Sequence, residues 1–357
     1  FLNHGSFGAV PRAVAAAQQR WRERFEESPV EMIGRRSRAM LAAPKAAIAA
    51  LIHGDPAGIG LVTNATEGIN AVIRSMSLQP GDELVATSHV YNAVRQTLRY
   101  VTRRADAVYR ELELDPPFDG PEAILTTIAA ALTPRTRLLV IDHISSPTAV
   151  VFPIEAIARL CEDAGVDLLV DGAHAPGMVP LDLSRLRPAW YAANLHKWIC
   201  APRGCAFLHA REDRREDLHP PTISHFLDEG MRAEFDWQGT RDLSAWLTAP
   251  DAIAFMQGLE LDAVMAHNHA MATWVQRMLC RRWSTTPLTP LDGSMLGSMA
   301  TVVLPPSLQP DGLYERFESV NMALYDRFAV EVPIFEWRGV RHARASCQVY
   351  NTPQDYE

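Results

Sequence analysis

Between Ile59 and Leu208, short aliphatic and β-branched runs alternate with segments in which apolar residues recur every three to four positions. That alternation predicts a mostly parallel sheet whose strands are joined by helices. Strands are expected at Gly60–Thr63, Glu83–Thr87, Leu138–Asp142, Asp167–Asp171, Trp190–Asn194 and Cys205–His209, with helices at Thr66–Met76, Asn92–Thr102, Glu122–Leu132 and Ile154–Ala164. Beyond about Leu259 the texture changes. A long helical stretch reaches Trp283, a proline-rich segment covers Thr286–Leu291, and strand-like runs follow at Ala300–Leu304 and Val330–Phe335. This predicts a second, smaller α+β unit. The last residues, Asn351 to Asp355, read as the opening of a helix at which the chain stops, with Thr352 as cap and Pro353 at the first position. No internal repeat and no low-complexity segment interrupts the pattern.

Composition narrows the class. A chain of 357 residues with 48% hydrophobic content can bury a large core. Its formal net charge of -8, with basic residues clustered no further than pairs such as Arg35-Arg36, offers no footprint for a nucleic-acid backbone. No apolar run approaches the roughly 18 residues of a membrane span. The five cysteines (Cys161, Cys200, Cys205, Cys280, Cys347) form no Cys-x-x-Cys pair, which argues against a disulfide framework or zinc ribbon and favours a reducing cytoplasm. The chain begins at Phe1, so a cleaved leader stays open as an expectation.

Candidate chemistry gathers just past the predicted strand ends, where open parallel sheets bind their ligands. Asp171-Gly172-Ala173-His174 follows one strand, and His196-Lys197 follows the next. Asn64-Ala65-Thr66-Glu67-Gly68 opens a helix whose free N–H groups and dipole would suit an anion, although Thr66 alone could be a simple cap. Lys197 is one of only two lysines, the other being Lys45. Amine chemistry on a carbonyl requires lysine, because the arginine guanidinium stays protonated. Lys45 lies in an alanine-rich helix around Ser37–Leu51 without acid or glycine turn nearby, and is expected to be a solvated surface residue. A lysine, an acid and an anion site on neighbouring strand ends are together what pyridoxal phosphate requires.

The chain resembles the class V aminotransferase group of fold type I pyridoxal-phosphate enzymes, and within it the isopenicillin N epimerase-like branch, which also holds hercynylcysteine sulfoxide lyases. The likeness is carried by Leu2-Asn3-His4-Gly5-Ser6-Phe7-Gly8, Asp171 to Gly177, His196-Lys197-Trp198, Gly239-Thr240-Arg241-Asp242, Arg344-Ala345-Ser346 and Tyr350-Asn351. It implies a seven-stranded, mostly parallel sheet flanked by helices, divided into an N-terminal segment 1–25 packed on the small domain and active site, a large cofactor-binding domain 26–258 and a small domain 259–357. It implies that Lys197 is the Schiff-base lysine, Asp171 the partner of the pyridine nitrogen, and His174 the neighbour of the phenolic oxygen. By the same resemblance Ala65, Thr66 and His196 contact the phosphate and Tyr91 covers the ring. Thr240 then reaches the other subunit's phosphate, so the expected assembly is a homodimer with shared active sites. Arg344 would pair with the substrate carboxylate, and Asn3 and His4 would lie at the substrate. Two departures stand out: Val332 to Gly339 lacks the nucleophilic cysteine that desulfurases of this superfamily carry, and Ser146 replaces their asparagine. Cys347 is expected to be a buried structural thiol.

Rival readings account for less. Asp171, His174 and His196 could satisfy zinc, but Lys197 and Arg344 would then have no role. His267 and His269, two apart on a helix, point to different faces. The glycine-rich Gly54–Gly60 precedes a strand instead of linking strand to helix, unlike a dinucleotide loop. A non-catalytic relative would be free to lose Lys197, Asp171 or Arg344, and all three are present. The expected activity is epimerisation or racemisation at an amino-acid α-carbon, with C–S lysis second and transamination third; Tyr91 or His89 is the candidate for a second proton donor.

Overall fold

The computed structural model describes residues 1–310, 312 and 316–357. Seven strands, β1 (Ile59–Val62), β2 (Glu83–Thr87), β3 (Val108–Leu112), β4 (Thr136–Asp142), β5 (Asp167–Asp171), β6 (Trp190–Asn194) and β7 (Ala206–Ala210), form one sheet in the order β1-β7-β6-β5-β4-β2-β3. β7 runs antiparallel to both β1 and β6, whereas the other pairings are parallel. This is the mostly parallel, helix-flanked α/β architecture expected.

Because successive side chains point to opposite faces, the continuous apolar strands feed two cores. Leu139 and Ile141 of β4 join Val170, Tyr191 and Phe207 on one face. Leu138 and Val140 join Leu169, Ala192 and Leu208 on the other. The strand that pattern reading missed is β3. It lies at the sheet edge, and its Arg110 and Glu111 are held by Glu83 and Arg95, so its composition is that of a half-exposed strand.

A second sheet consists of β8 (Met299–Val303), β9 (Ile334–Trp337) and β10 (Val340–Ser346), antiparallel in the order β8-β10-β9. The expected strand Val330–Phe335 starts only at Ile334, after Pro333. The helix Leu261–Trp283 packs on β8 through Ala272 and Val275, which share a core with Ala300, Ala345 and Cys347. Leu2 joins that core and links its backbone to Glu331 and Ser346. Cys347 is fully buried there. At the C-terminus Pro353–Asp355 forms a single 3-10 turn capped by Thr352 and Asp355.

Lys45 corrects an expectation. It is 5% exposed, on the helix Ala42–Ile52, and its amine pairs with the Asp236 carboxylate. Lys45, Ile48, Ala49 and Ile52 have the spacing of one helical stripe, and that stripe faces inward. Alanine on both sides disguised the inward face, since small residues read equally well as surface. Among the described residues no helix is long and apolar enough to cross a membrane.

Candidate active site

The carboxyl ends of β1, β5 and β6 open onto one cavity of about 490 Å³. Ala65, Thr66, Tyr91, Asp171, His174, His196 and Lys197 all line it, joined by Asp142, Ser146, Asn194 and Arg203. The structure thus brings together seven of the side chains singled out from sequence. Past β1, Asn64 caps the helix Ala65–Ser75 by accepting from the Glu67 N–H at 2.8 Å. The cap is therefore Asn64 and not Thr66, whose hydroxyl is left to the cavity. The Ala65 N–H is already donated to Asn194 Oδ1 at 2.8 Å, which ties this helix start to the end of β6.

Burial and one neighbouring charge discourage protonation of Lys197. Burial, and then the Arg344 guanidinium, push its amine down to about 7, against the opposing pull of Asp171 and Asp142. His174 is neutral for the same reasons: burial first, then the charges of Lys197 and Arg344, hold it well below the usual histidine range. Trp198 Nε1 donates to His174 Nδ1 at 3.4 Å, so the neutral ring carries its proton on Nε2, 3.0 Å from the Lys197 amine. That proton points at a nitrogen lone pair. Asp171 accepts from the Ala173 N–H at 2.9 Å, and burial raises its carboxyl to about 6 despite that bond and Lys197. His196 binds the Cys205 carbonyl through Nδ1 at 3.1 Å, and burial followed by Lys197 lowers it to about 4.

A second cavity of about 500 Å³ adjoins the first and shares Ser6, Phe7, Tyr91, Ser146 and Lys197 with it. Arg344, on β10, forms its floor. The guanidinium is aimed by Ser146, whose carbonyl and hydroxyl accept from Nη1 at 2.6 and 3.0 Å, and by Ser6, whose hydroxyl accepts from Nη2 at 3.1 Å. Asn3 does not line either cavity; its Oδ1 accepts from Ser6 and its amide donates to Glu331. His4 is buried behind Lys197, with Nδ1 on Tyr350 Oη at 2.8 Å and Nε2 on the Lys197 carbonyl at 3.0 Å. The N-terminal segment crosses that backbone at Gly8, where a Cβ would stand 2.0 Å from the His196 carbonyl oxygen and φ is +68°. Thr240 is exposed and lies outside both cavities.

His89 is not available as a proton donor. Both its ring nitrogens are engaged, by Thr148 at 2.6 Å and the Leu114 carbonyl at 2.9 Å, and it lines neither cavity. Sequence reasoning missed the aiming role of Ser146 and Ser6 and the Asn194 link; each depends on a partner more than a hundred positions away. Among the described residues no three His, Cys, Asp or Glu side chains converge to hold a metal ion, so the zinc alternative has no geometry behind it.

The donor set fits pyridoxal phosphate. The cavity offers an amine that deprotonates near neutrality for a carbonyl, a buried carboxyl for a ring nitrogen, and a helix N-terminus with a free hydroxyl for a phosphate. Two buried atoms at these cavities, Asp142 Oδ2 and Arg344 Nε, have no hydrogen-bond partner among the described residues.

Comparison with known proteins agrees. The sequence profile described as Aminotransferase class-V matches residues 8–357. The chain is 31% identical to the isopenicillin N epimerase of Streptomyces clavuligerus, over all of this chain and 92% of that protein. It is 30% identical to an L-cysteine desulfhydrase of Arabidopsis thaliana, over all of this chain and 85% of that protein. Among solved structures, the cystine C-S lyase C-DES in complex with cysteine persulfide superposes with a TM-score of 0.86 at 19% identity, covering all of this chain and 94% of that one. An apo cysteine desulfurase of Thermococcus onnurineus gives 0.83 at 16%, covering 99% and 91%.

Proposed function

Since the chain belongs to the aminotransferase class-V family, with pyridoxal 5'-phosphate as its cofactor, we propose that it is an amino-acid epimerase or racemase in which Lys197 moves the α-proton. The carrying observation is the Lys197 amine: buried, pushed down to about 7, and set in the wall common to both cavities. A general base works best when its pKa lies near the working pH. The bound cofactor supplies an electron sink for the pair released at the substrate α-carbon. Asp171 would meet the ring nitrogen, His174 the phenolic oxygen, and Thr66 with His196 the phosphate. Arg344 takes the substrate carboxylate in a planar, bidentate contact. Tyr91, which also lines both cavities and is 45% exposed, would return the proton.

A second reading, C–S lysis, is favoured by the L-cysteine desulfhydrases among the relatives and needs the same first step. A persulfide route is disfavoured: all five cysteines are buried, and none lines the cavities. Their free thiols also suit a cytoplasmic setting. The exposed Thr240 supports a homodimer in which that residue completes the partner's phosphate site. Incubating the holoenzyme with an amino-acid panel in deuterated water separates the readings. Deuterium entry at the α-carbon with inversion supports epimerisation; pyruvate without inversion replaces it with lysis.

A further inference from the structure

A second carboxyl stands beside Asp171. In the parallel pair β4–β5 the Cα partner of Asp171 is Asp142. Side chains alternate along each strand, and Leu138 and Val140 share a core with Leu169. Asp142 and Asp171 therefore project from the same face, side by side. Asp142 is 2% exposed, lines the cofactor cavity, and its Oδ2 has no hydrogen-bond partner among the described residues. The groups that face it are the Tyr91 N–H, Asp171, Lys197 and Arg95, the last already bound in bidentate fashion by Glu111.

Two adjacent carboxyls in a water-poor cavity do not both ionise. Their surroundings decide which one does. Asp171 accepts the Ala173 N–H at 2.9 Å and is the carboxyl with which a protonated Lys197 interacts more strongly. Asp142 accepts the Tyr91 N–H, but its Oδ2 is both shut off from solvent and without a hydrogen-bond partner among the described residues, which makes it the poorer anion. We propose that Asp142 is a positioning residue of the cofactor cavity, the neutral member of a one-proton carboxyl pair that confines the negative charge to Asp171. This rests on the pyridoxal-phosphate reading. Burial, and then Asp171, raise the Asp142 carboxyl well above the usual carboxylate range, in the same direction. Asp171 is thereby left as the single anion for the ring nitrogen, and Asp142 as a hydrogen-bond donor in the wall.

The test compares the full chain with Asp142→Asn, Asp142→Leu and Asp171→Asn. The first readout is pyridoxal phosphate affinity, followed by its absorbance. Asparagine preserves a neutral donor, so Asp142→Asn should bind within about threefold of the parent, while Asp171→Asn, which loses a charged hydrogen bond, should weaken by about tenfold or more. Asp142→Leu should fall between them. Equal losses in Asp142→Asn and Asp171→Asn would make Asp142 an ionised partner and overturn the proposal, as would identical behaviour of the asparagine and leucine variants. The second readout is the thermal midpoint of the cofactor-free chain against pH. A carboxyl raised in the folded state binds more protons folded than unfolded, so stability falls as pH rises from the unfolded value toward the raised one. Asp142→Asn removes that loss, and its midpoint should gain on the parent as pH rises above the ordinary carboxyl value of 3.8. A constant offset at every pH overturns the shared proton. If no variant and no parent binds pyridoxal phosphate, the cofactor reading fails, and the pH readout still decides whether the pair shares a proton.

Discussion

Lys45 and Lys197 are both buried, yet the first amine ends against a carboxylate and the second ends beside an imidazole and near a guanidinium. At Lys45, burial lowers the amine while Asp236 pulls it back up. At Lys197, burial and Arg344 act in the same direction, and Asp171 and Asp142 pull it back only from a distance, with no carboxylate of the described residues forming an ion pair with it. Burial alone thus does not make a lysine into a base. The missing ion-pair partner does: a desolvated amine without one sheds its proton, while one in a salt bridge holds it.

The comparison can be broken most forcefully by exchanging what each lysine loses. Lys197→Ala should reduce α-deuterium exchange by at least about a thousandfold, because general-base catalysis and covalent attachment vanish together, with the fold intact by circular dichroism. A variant that still exchanges at the parental rate would remove Lys197 from the mechanism. Lys45→Met should leave exchange per folded molecule unchanged and instead cost up to about 3–5 kcal/mol of unfolding free energy, since the buried Asp236 keeps only the distant Arg232, at 3.9 Å, as an ion-pair partner. Adding Asp236→Leu should restore much of that loss in denaturant titrations; a further fall would mean the pair is worth more than its desolvation. Arg344→Gln removes the second cause of the lowered Lys197 amine. The substrate KM should rise about tenfold or more as a charged contact is lost. The smallest effect is the one that sharpens the comparison most. The exchange rate of the parent should climb through an inflection near pH 7, as the amine deprotonates, and in Arg344→Gln that inflection should move upward. An unmoved inflection would assign it to a different group.

Much of the scaffold was legible along the chain because it depends on local periodicity. Six of the seven strands of the large sheet lie within a residue or two of the apolar runs that predicted them. The exception, β3, is an edge strand whose charged side chains find partners on other elements, and a periodic pattern cannot register a partner. The candidate site was legible for a related reason: in a parallel sheet every strand ends on the same side, so residues just after the strands converge whatever lies between them. That logic placed Asp171, His174, His196, Lys197 and Thr66 on one cavity. It had no purchase on Ser6 or Ser146, which meet Arg344 from 338 and 198 positions away.

By itself, then, the sequence determined the order of strands and helices and the chemical types gathered at the strand ends, since both follow from spacing. Only the tertiary structure decided the state of each charged group. Whether a lysine is a base or a structural cation, and which of two neighbouring carboxyls keeps a proton, depends on burial and on the nearest opposite charge. Those neighbours are set by packing between segments far apart in the chain.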